Sequence, residues 1–441
     1  MKWLRILPLI CALPVHADIH VLNNLDATPQ EHSFWCWAAV SSVAISAFDE
    51  VDGLVHLPQV DVVARRRARV STLVQERLPG KAQAIVDEKK KCTDTPDLCD
   101  KGDEPLLFDI DSDPPPSGKA LSMDAFRMEI DRNRPVIIRW MYSSLGAPGA
   151  DAIFGTHALI VTGYDSNKNK LQIFDPLPLS KTRGARHTFW IPISQYQNPF
   201  VQQGRQVCPM HRSDQFRMRR TSGRESAPAM GSYPMVDATT PCPPGPPPGG
   251  FTPQKELEGI INTYVNKQWK EGEFLDQNGE AWKGIVMPGK AFAVVAPGAA
   301  NLLDPRGRSP ESLLVRHANA YVVPLLHGGD VVDSFQLLPE NGTWKPGGYS
   351  NAEIANLLLR LSTSDQKELT DGNDEFYLVS IPELAAFYIA HGFKDAARLK
   401  SLDYGGKGSY LPANQVLGKL VQRVRRLQEQ ARATPRMKGS K

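Results

Sequence analysis

The amino-acid sequence predicts an α+β protein of two domains, each led by a helix and completed by an antiparallel sheet. Three observations carry this. First, 441 residues exceed one typical domain. Second, the stretch from Thr221 to Gln254, TSGRESAPAMGSYPMVDATTPCPPGPPPGGFTPQ, has few large apolar residues and clusters its prolines and glycines, as linkers do. Third, on both sides of this break a segment of helical periodicity precedes short apolar runs separated by turn residues. Composition agrees: 41% hydrophobic and 22% charged residues exclude global disorder and a fibrous chain, and a net charge of +3 leaves no overall nucleic-acid footprint. No internal repeat is found.

Residues 1–17 (MKWLRILPLICALPVHA) read as an export signal: Lys2 and Arg5, a short apolar core from Ile6 to Val15, then the small-residue ending Val15-His16-Ala17. The apolar run is too short to span a bilayer, so no stable membrane anchor is expected. The mature chain starts near Asp18 and is secreted or periplasmic. The first domain is expected over 18–213, the linker over 214–251 and the second domain over 252–441.

In the first domain, Trp37, Val40, Ala44 and Phe48 recur at helical spacing within Trp35–Phe48, a segment rich in small residues that lets other elements approach closely. Met123–Arg132 is a second helix, with Phe126 and Ile130 on one face. Strands are expected at Val136–Met141, His157–Tyr164, Leu171–Asp175 and Arg186–Ile193, with Asp165–Asn169 as a turn. The second domain opens on a helix capped by Thr252, with Leu257, Ile260, Ile261, Tyr264 and Val265 as its apolar stripe. Strands follow at Trp282–Met287, Phe292–Ala296, Ala320–Leu326, Val331–Leu338 and Glu375–Ile381. Ser350-Asn-Ala-Glu353 reads as a capping box before Ile354, Leu357, Leu358 and Leu361. Asn414–Arg432 forms a basic amphipathic helix. Its Arg423, Arg425, Arg426 and Arg432, like Arg65–Arg67 and Arg69, read as solvated faces. Asn341-Gly-Thr343 matches a glycosylation sequon, but a hairpin turn explains it better.

The six cysteines depend on compartment. Cys11 leaves with the signal, and an odd number remains, which in an oxidising setting implies one free thiol. Cys92 and Cys99 share a polar loop, and Cys208 and Cys242 flank the Pro-rich stretch. Pairing 92–99 and 208–242 leaves Cys36. A zinc site is disfavoured by the wide spacing and the lack of a nearby histidine.

Cys36 stands near the start of the small-residue helix, where unpaired amides and the macrodipole favour an anion. A nucleophilic thiol also needs an imidazole, a group that orients it and an oxyanion donor. Gln30, six residues upstream, offers a side-chain amide, and the Cys36 amide is a second donor. His32 is read as a loop residue. The pattern Gln30-x5-Cys36-Trp37-Ala38, then His157 in Gly155-Thr-His-Ala-Leu-Ile-Val-Thr-Gly-Tyr164, then Asp175 in Ile173-Phe-Asp-Pro176, resembles the papain-like cysteine peptidases. It looks most like compact bacterial members, including secreted staphopain-type enzymes and plant-pathogen effector proteases. The resemblance covers roughly residues 18–213. It implies a central helix packed on an antiparallel sheet, Cys36 as nucleophile, His157 as base, Asp175 as its orienter and Gln30 as oxyanion donor, with no cofactor and a protein or peptide as substrate.

The departures are specific. Ser33-Phe-Trp-Cys-Trp37 stands where cathepsin-type enzymes carry Cys-Gly-Ser-Cys-Trp, about 120 residues separate Cys36 from His157 rather than 130–150, and Asp replaces Asn. These bear on subsite preference more than on catalytic logic.

Strand pairing supplies a test. His157, Leu159 and Val161 share one strand face, as do Leu171, Ile173 and Asp175. Both catalytic residues face the helix only if paired residue numbers sum to an even value, which requires a five-residue loop at 165–169 or a bulge; a regular six-residue loop would turn the carboxylate away. Two other readings remain open: a transglutaminase-like acyl transferase using the same residues, and a catalytically silent binding module. The second domain is compatible with substrate binding, with restraint as a C-terminal prosegment, or with recognition of a host or inhibitor partner.

Overall fold

The structure is a computed structural model. It describes residues 19–52, 58–62, 119–142, 155–177, 188–209, 216–217, 235–237, 249–303, 309–366 and 375–433, apart from single positions and short stretches within these ranges. Residues 1–17, His32, Arg65–Arg67, Arg69, Cys92, Cys99, Cys242 and most of the linker lie outside the described residues.

The chain is a mixed α+β protein built on two large sheets. The first sheet takes its main strands from β3 (Val136–Tyr142), β4 (Gly155–Asp165), β5 (Lys170–Phe174) and β6 (Thr188–Pro192). Each neighbouring pair is antiparallel. Beyond β3 the sheet continues through β8 (Arg205–Pro209) to β7 (Phe200–Gln202), two strands not expected from the sequence. Short β1 (Ile19–Val21) extends β4, and β9 (Phe216–Arg217) extends β3.

Two helices cover the two faces. Helix α1 (Cys36–Asp52) packs Trp37, Val40, Val43 and Ala44 on Ile137, Ala158, Ile160 and Phe174. Its alanines bring its backbone close to the sheet, as the composition suggested. Helix α2 (Met123–Ile130) packs Ala125, Phe126 and Ile130 on the other face, with Val136, Ile138, Leu159, Val161, Leu171 and Ile173. Ser122 caps α2, its side chain accepting from the Ala125 amide. Between β6 and β7 lies the short α3 (Ile193–Gln197), whose buried Tyr196 stacks edge-on against Phe126 and accepts from the Leu121 amide.

Within the expected linker, three short strands tie to the rest of the protein. β9 joins β3; β10 (Met235–Asp237) pairs with β2 (Lys119–Leu121); and β11 (Gly249–Gly250) pairs with β14 (His317–Ala318).

The second sheet runs β17-β16-β15-β13-β18-β19-β20-β21. These are β13 (Phe292–Val295), β15 (Ala320–His327), β16 (Asp330–Glu340), β17 (Thr343–Tyr349), β18 (Tyr377–Ile381), β19 (Ala386–His391), β20 (Arg398–Ser401) and β21 (Leu411–Pro412). β12 (Met287–Pro288) adds to β15 and is all that forms of the expected strand Trp282–Met287. Its pairs are antiparallel except β13 with β18, where the chain returns through α6 (Ala352–Asp365).

Helix α4 (Gln254–Lys270) and helix α8 (Ala413–Ala433) cover one face of this sheet through Leu257, Ile261, Val265, Leu417, Leu420 and Val424. Helix α6 covers the other through Ile354, Leu357, Leu358 and Leu361. The short helices α5 (Ala299–Leu303) and α7 (Asp403–Gly406) sit at the margins. Arg425 and Arg426 lie on the exposed side of α8. Among the described residues, no helix is long and apolar enough to cross a membrane.

Two caps differ from expectation. Asn351, not Ser350, caps α6, accepting from the Glu353 and Ile354 amides. Thr252 does not cap α4; its hydroxyl takes the Trp344 indole N–H at 2.8 Å instead. The β16–β17 hairpin turns at Asn341-Gly342, both at positive φ (51° and 76°). That backbone is open to Asn and Gly and strained for most other residues.

Candidate active site

Position in the site begins with the register of β4 on β5. The turn between them has four residues, Ser166–Asn169, stabilised by Asp165 accepting from the Asn167 and Lys168 amides. Asp165 therefore pairs with Lys170, Tyr164 with Leu171 and Gly163 with Gln172. Left alone, this register would put His157 and Asp175 on opposite faces. A bulge at Thr162 corrects it, since the next pairs are Val161–Ile173 and Ile160–Phe174. Continued past Phe174, the register sets Asp175 opposite Leu159 and diagonal to His157. The bulge, rather than a five-residue loop, is the device the chain uses.

A second point corrects the sequence reading. The face that His157 shares with Leu159 and Val161 is not the face under α1; that helix lies over Ala158 and Ile160. Contact is made at the end of the sheet, where β4 begins, β5 finishes and the N-terminus of α1 arrives. There the Ala158 amide points at Cys36 Sγ at 3.5 Å.

His157 and Asp175 meet directly: Nε2 and Oδ1 are 2.7 Å apart, with side chains 7% and 1% exposed. The carboxylate can only accept, so Nε2 carries the proton and Nδ1 is left for the thiol. Burial of the ring opposes its charge, but the Asp175 charge and hydrogen bond outweigh it, with a further contribution from a hydrogen bond with Cys36. Together they push His157 up to about 10. The imidazole is thus held as a cation through the physiological range.

Cys36 is a free, buried cysteine and the first residue of α1. The Trp35 carbonyl accepts the first helical bond, from Ala39 at 2.8 Å. The Cys36 amide belongs to the helix's first turn, whose N–H groups have no intrahelical acceptor. These amides and the Ala158 N–H surround Sγ with donors, and the His157 ring lies beside it.

Gln30 is buried and pinned through its backbone. Its amide donates to the Pro176 carbonyl at 2.7 Å, next to Asp175. Gln59, also buried, grips both neighbours: its side-chain N–H donates to the Pro29 carbonyl at 2.8 Å and its oxygen accepts from the Glu31 amide at 2.9 Å. No sequence signal marks Gln59, because its partners are backbone atoms about 30 residues away. Leu177 was missed for the same kind of reason. Its amide donates to Asp175 Oδ1 at 3.1 Å, the same oxygen that receives His157.

The four residues read from the sequence as catalytic, Gln30, Cys36, His157 and Asp175, are therefore all described and buried at one end of the first sheet or beside it. Of the expected disulfide partners, Cys208 lies on β8 opposite Met141. Cys92, Cys99 and Cys242 lie outside the described residues.

The sequence model of the Peptidase_C39 like family matches residues 115–208. That span holds β3 to β8 with His157 and Asp175, and excludes Gln30 and Cys36. The match supports a cysteine peptidase family of papain-like fold for this part of the chain. No curated protein and no solved structure matches the chain.

Proposed function

We propose that the protein is an exported endopeptidase that hydrolyses peptide bonds through Cys36, His157 and Asp175, with Gln30 as oxyanion donor. The observation that carries this reading is the buried 2.7 Å pair between His157 Nε2 and Asp175 Oδ1, set beside the free thiol at the start of α1. A buried carboxylate-bound imidazole next to a helix N-terminal cysteine is an arrangement suited to covalent acyl transfer.

In the proposed reaction the Cys36 thiolate attacks the peptide carbonyl carbon. The negative charge that develops on the oxygen is met by the Cys36 amide and the Gln30 side-chain amide. His157 Nδ1–H protonates the departing amine, and the C–N bond breaks to leave a thioester on Sγ. Water then loses a proton to Nδ1 as it attacks the thioester, releasing the acid and regenerating the thiolate–imidazolium pair. Asp175 keeps the ring turned with Nδ1 toward the sulfur. Export is supported by the character of residues 1–17, a basic start, a short apolar core and a small-residue ending.

The test compares wild type with Cys36→Ala on a mixed peptide library containing a labelled amine. New N-termini produced by wild type alone are expected. Equal cleavage by both proteins would overturn the mechanism, and amine incorporation without new N-termini would assign the site to acyl transfer instead.

A further inference from the structure

The segment that follows Asp175, the proposed orienting carboxylate, is anchored outside its own sheet. Asp175 and Leu177 are buried together, yet they face different partners. Asp175 Oδ1 takes the His157 ring and the Leu177 amide. The Pro176 carbonyl takes the Gln30 amide. The Leu177 side chain, 4% exposed, leaves the first domain and joins the apolar layer between the second sheet and α6, with Phe292, Val294, Val322, Leu358 and Phe387. Its three-residue neighbourhood thus holds the orienting carboxylate, the backbone of the oxyanion donor and an apolar plug in the second domain.

The same segment is gripped at its other end. On β5 the buried Lys170 donates to the Glu273 carbonyl at 2.8 Å and reaches the Glu273 carboxylate at 2.6 Å, just past the C-terminus of α4. Lys168, in the turn before β5, donates to the Gly272 carbonyl. The second domain therefore holds the Lys168–Leu177 ribbon on both sides of Asp175. Any movement of that ribbon relative to β4 alters the His157–Asp175 contact, because β5 is bonded to β4 only up to Phe174.

We infer that Leu177 is a positioning residue through which the second domain sets the proposed catalytic carboxylate, and that this domain is a brace for the site and not a detachable inhibitor. The inference rests on the proposed function for the meaning of Asp175, but its readout does not. An apolar side chain seated in a packed core fixes its backbone within a fraction of an ångström, and here that backbone amide is a ligand of the carboxylate. Shortening the side chain frees the loop while leaving the thiol, the imidazole and the carboxylate chemically intact.

The experiment uses the full chain and three variants: Leu177→Ala, Leu177→Val and Leu177→Met. Each is measured for Cys36 alkylation by iodoacetamide between pH 5 and 9, and for kcat and KM on a cleaved peptide. Leu177→Ala is expected to slow labelling at pH 6 at least tenfold and to lower kcat at least tenfold with KM within about twofold. Leu177→Val is expected between it and wild type, and Leu177→Met, which refills the volume, within about threefold of wild type. Should Leu177→Ala fail to fold, Leu177→Val with Glu273→Gln, which loosens the other grip, carries the same comparison. A folded Leu177→Ala or Leu177→Val protein whose labelling profile matches wild type overturns the inference. If wild type cleaves no peptide while labelling at Cys36 still responds to Leu177, the brace stands and the peptidase reading fails.

Discussion

Replacing Asp175 by Asn removes the charge that holds His157 as a cation while keeping the shape of the side chain. The carboxylate is 1% exposed and 2.7 Å from Nε2, so its attraction is little screened by solvent. Against the opposing effect of burial, that charge and its hydrogen bond, with a further contribution from Cys36, lift the ring from 6.5 to about 10. That rise corresponds to about 5 kcal/mol of preference for the imidazolium, as an upper limit. With the charge gone, burial prevails, and the D175N ring is expected to titrate at or below 6.5. At pH 7.5 no more than about a tenth of it then stays protonated, and the amide also competes to turn the ring. The expected loss in kcat is about 10²–10⁴, as when the acid of a serine triad is amidated.

Stability follows the same sign. A histidine whose folded value lies above its unfolded one contributes fully below pH 6.5 and loses that contribution as pH rises through about 10. D175N is therefore expected to be destabilised by about 3–5 kcal/mol at pH 6, with the deficit shrinking steadily as pH rises from 6.5 toward 10. The assay is a nitrogen NMR titration of ring-labelled protein, in which His157→Gln assigns the relevant signal among the 10 histidines. A wild-type ring that titrates near 6.5, or one unchanged in D175N, would refute the electrostatic argument.

Further predictions concern the supports of the site and the frame. Gln59→Ala removes the amide that grips the Pro29 carbonyl and Glu31 amide; a loss of about 1–3 kcal/mol and a fall in kcat exceeding any change in KM are expected from melts and kinetics. At Gly163 an added Cβ would lie 2.8 Å from the His20 carbonyl oxygen and 3.0 Å from Val21 Cγ2, so Gly163→Ala should push β1 off β4 and cost about 1–3 kcal/mol in denaturant unfolding. Asn351→Ala should cost about 1 kcal/mol through loss of the α6 cap. Burial pushes Asp333 up to about 6, opposed by the Ser334 amide and the Lys170 charge. Its ionisation therefore weakens the fold as pH rises from 4 to 6. The residue keeps part of its surface in solvent, so Asp333→Asn should gain only about 1 kcal/mol at pH 7.5 and nothing at pH 4.

Much of the first sheet and of the helices on it was legible because its signals are local. The alanine-rich stretch after Cys36, the alternation in β3 to β5 and the turn chemistry at 165–169 each act within a few residues, and they set Cys36 at the start of α1, His157 on β4 and Asp175 just past β5. Strand alternation also made the need for an even pairing sum legible, though not the bulge at Thr162 that meets it. Which face α1 covers was not legible, since period-2 alternation defines two faces without saying what packs on each. β17, β19 and β20 were missed for a related reason. Thr343–Tyr349 holds Pro346 and two glycines, Ala386–His391 is apolar on both faces, and Arg398–Ser401 is too short for periodicity. Gln59 and Leu177 act through backbone atoms distant in sequence or through the apolar layer on the second sheet, and neither leaves a pattern in its own neighbourhood.

The central claim is that Cys36 Sγ becomes acylated. Acid quenching of the wild-type protein during turnover of a peptide ester, followed by digestion and mass spectrometry, tests it directly. The account predicts a single acyl group on the peptide containing Cys36, absent in Cys36→Ala and accumulating more slowly in His157→Ala. Continued hydrolysis with no acyl group on Cys36, or with one on another residue, would contradict it.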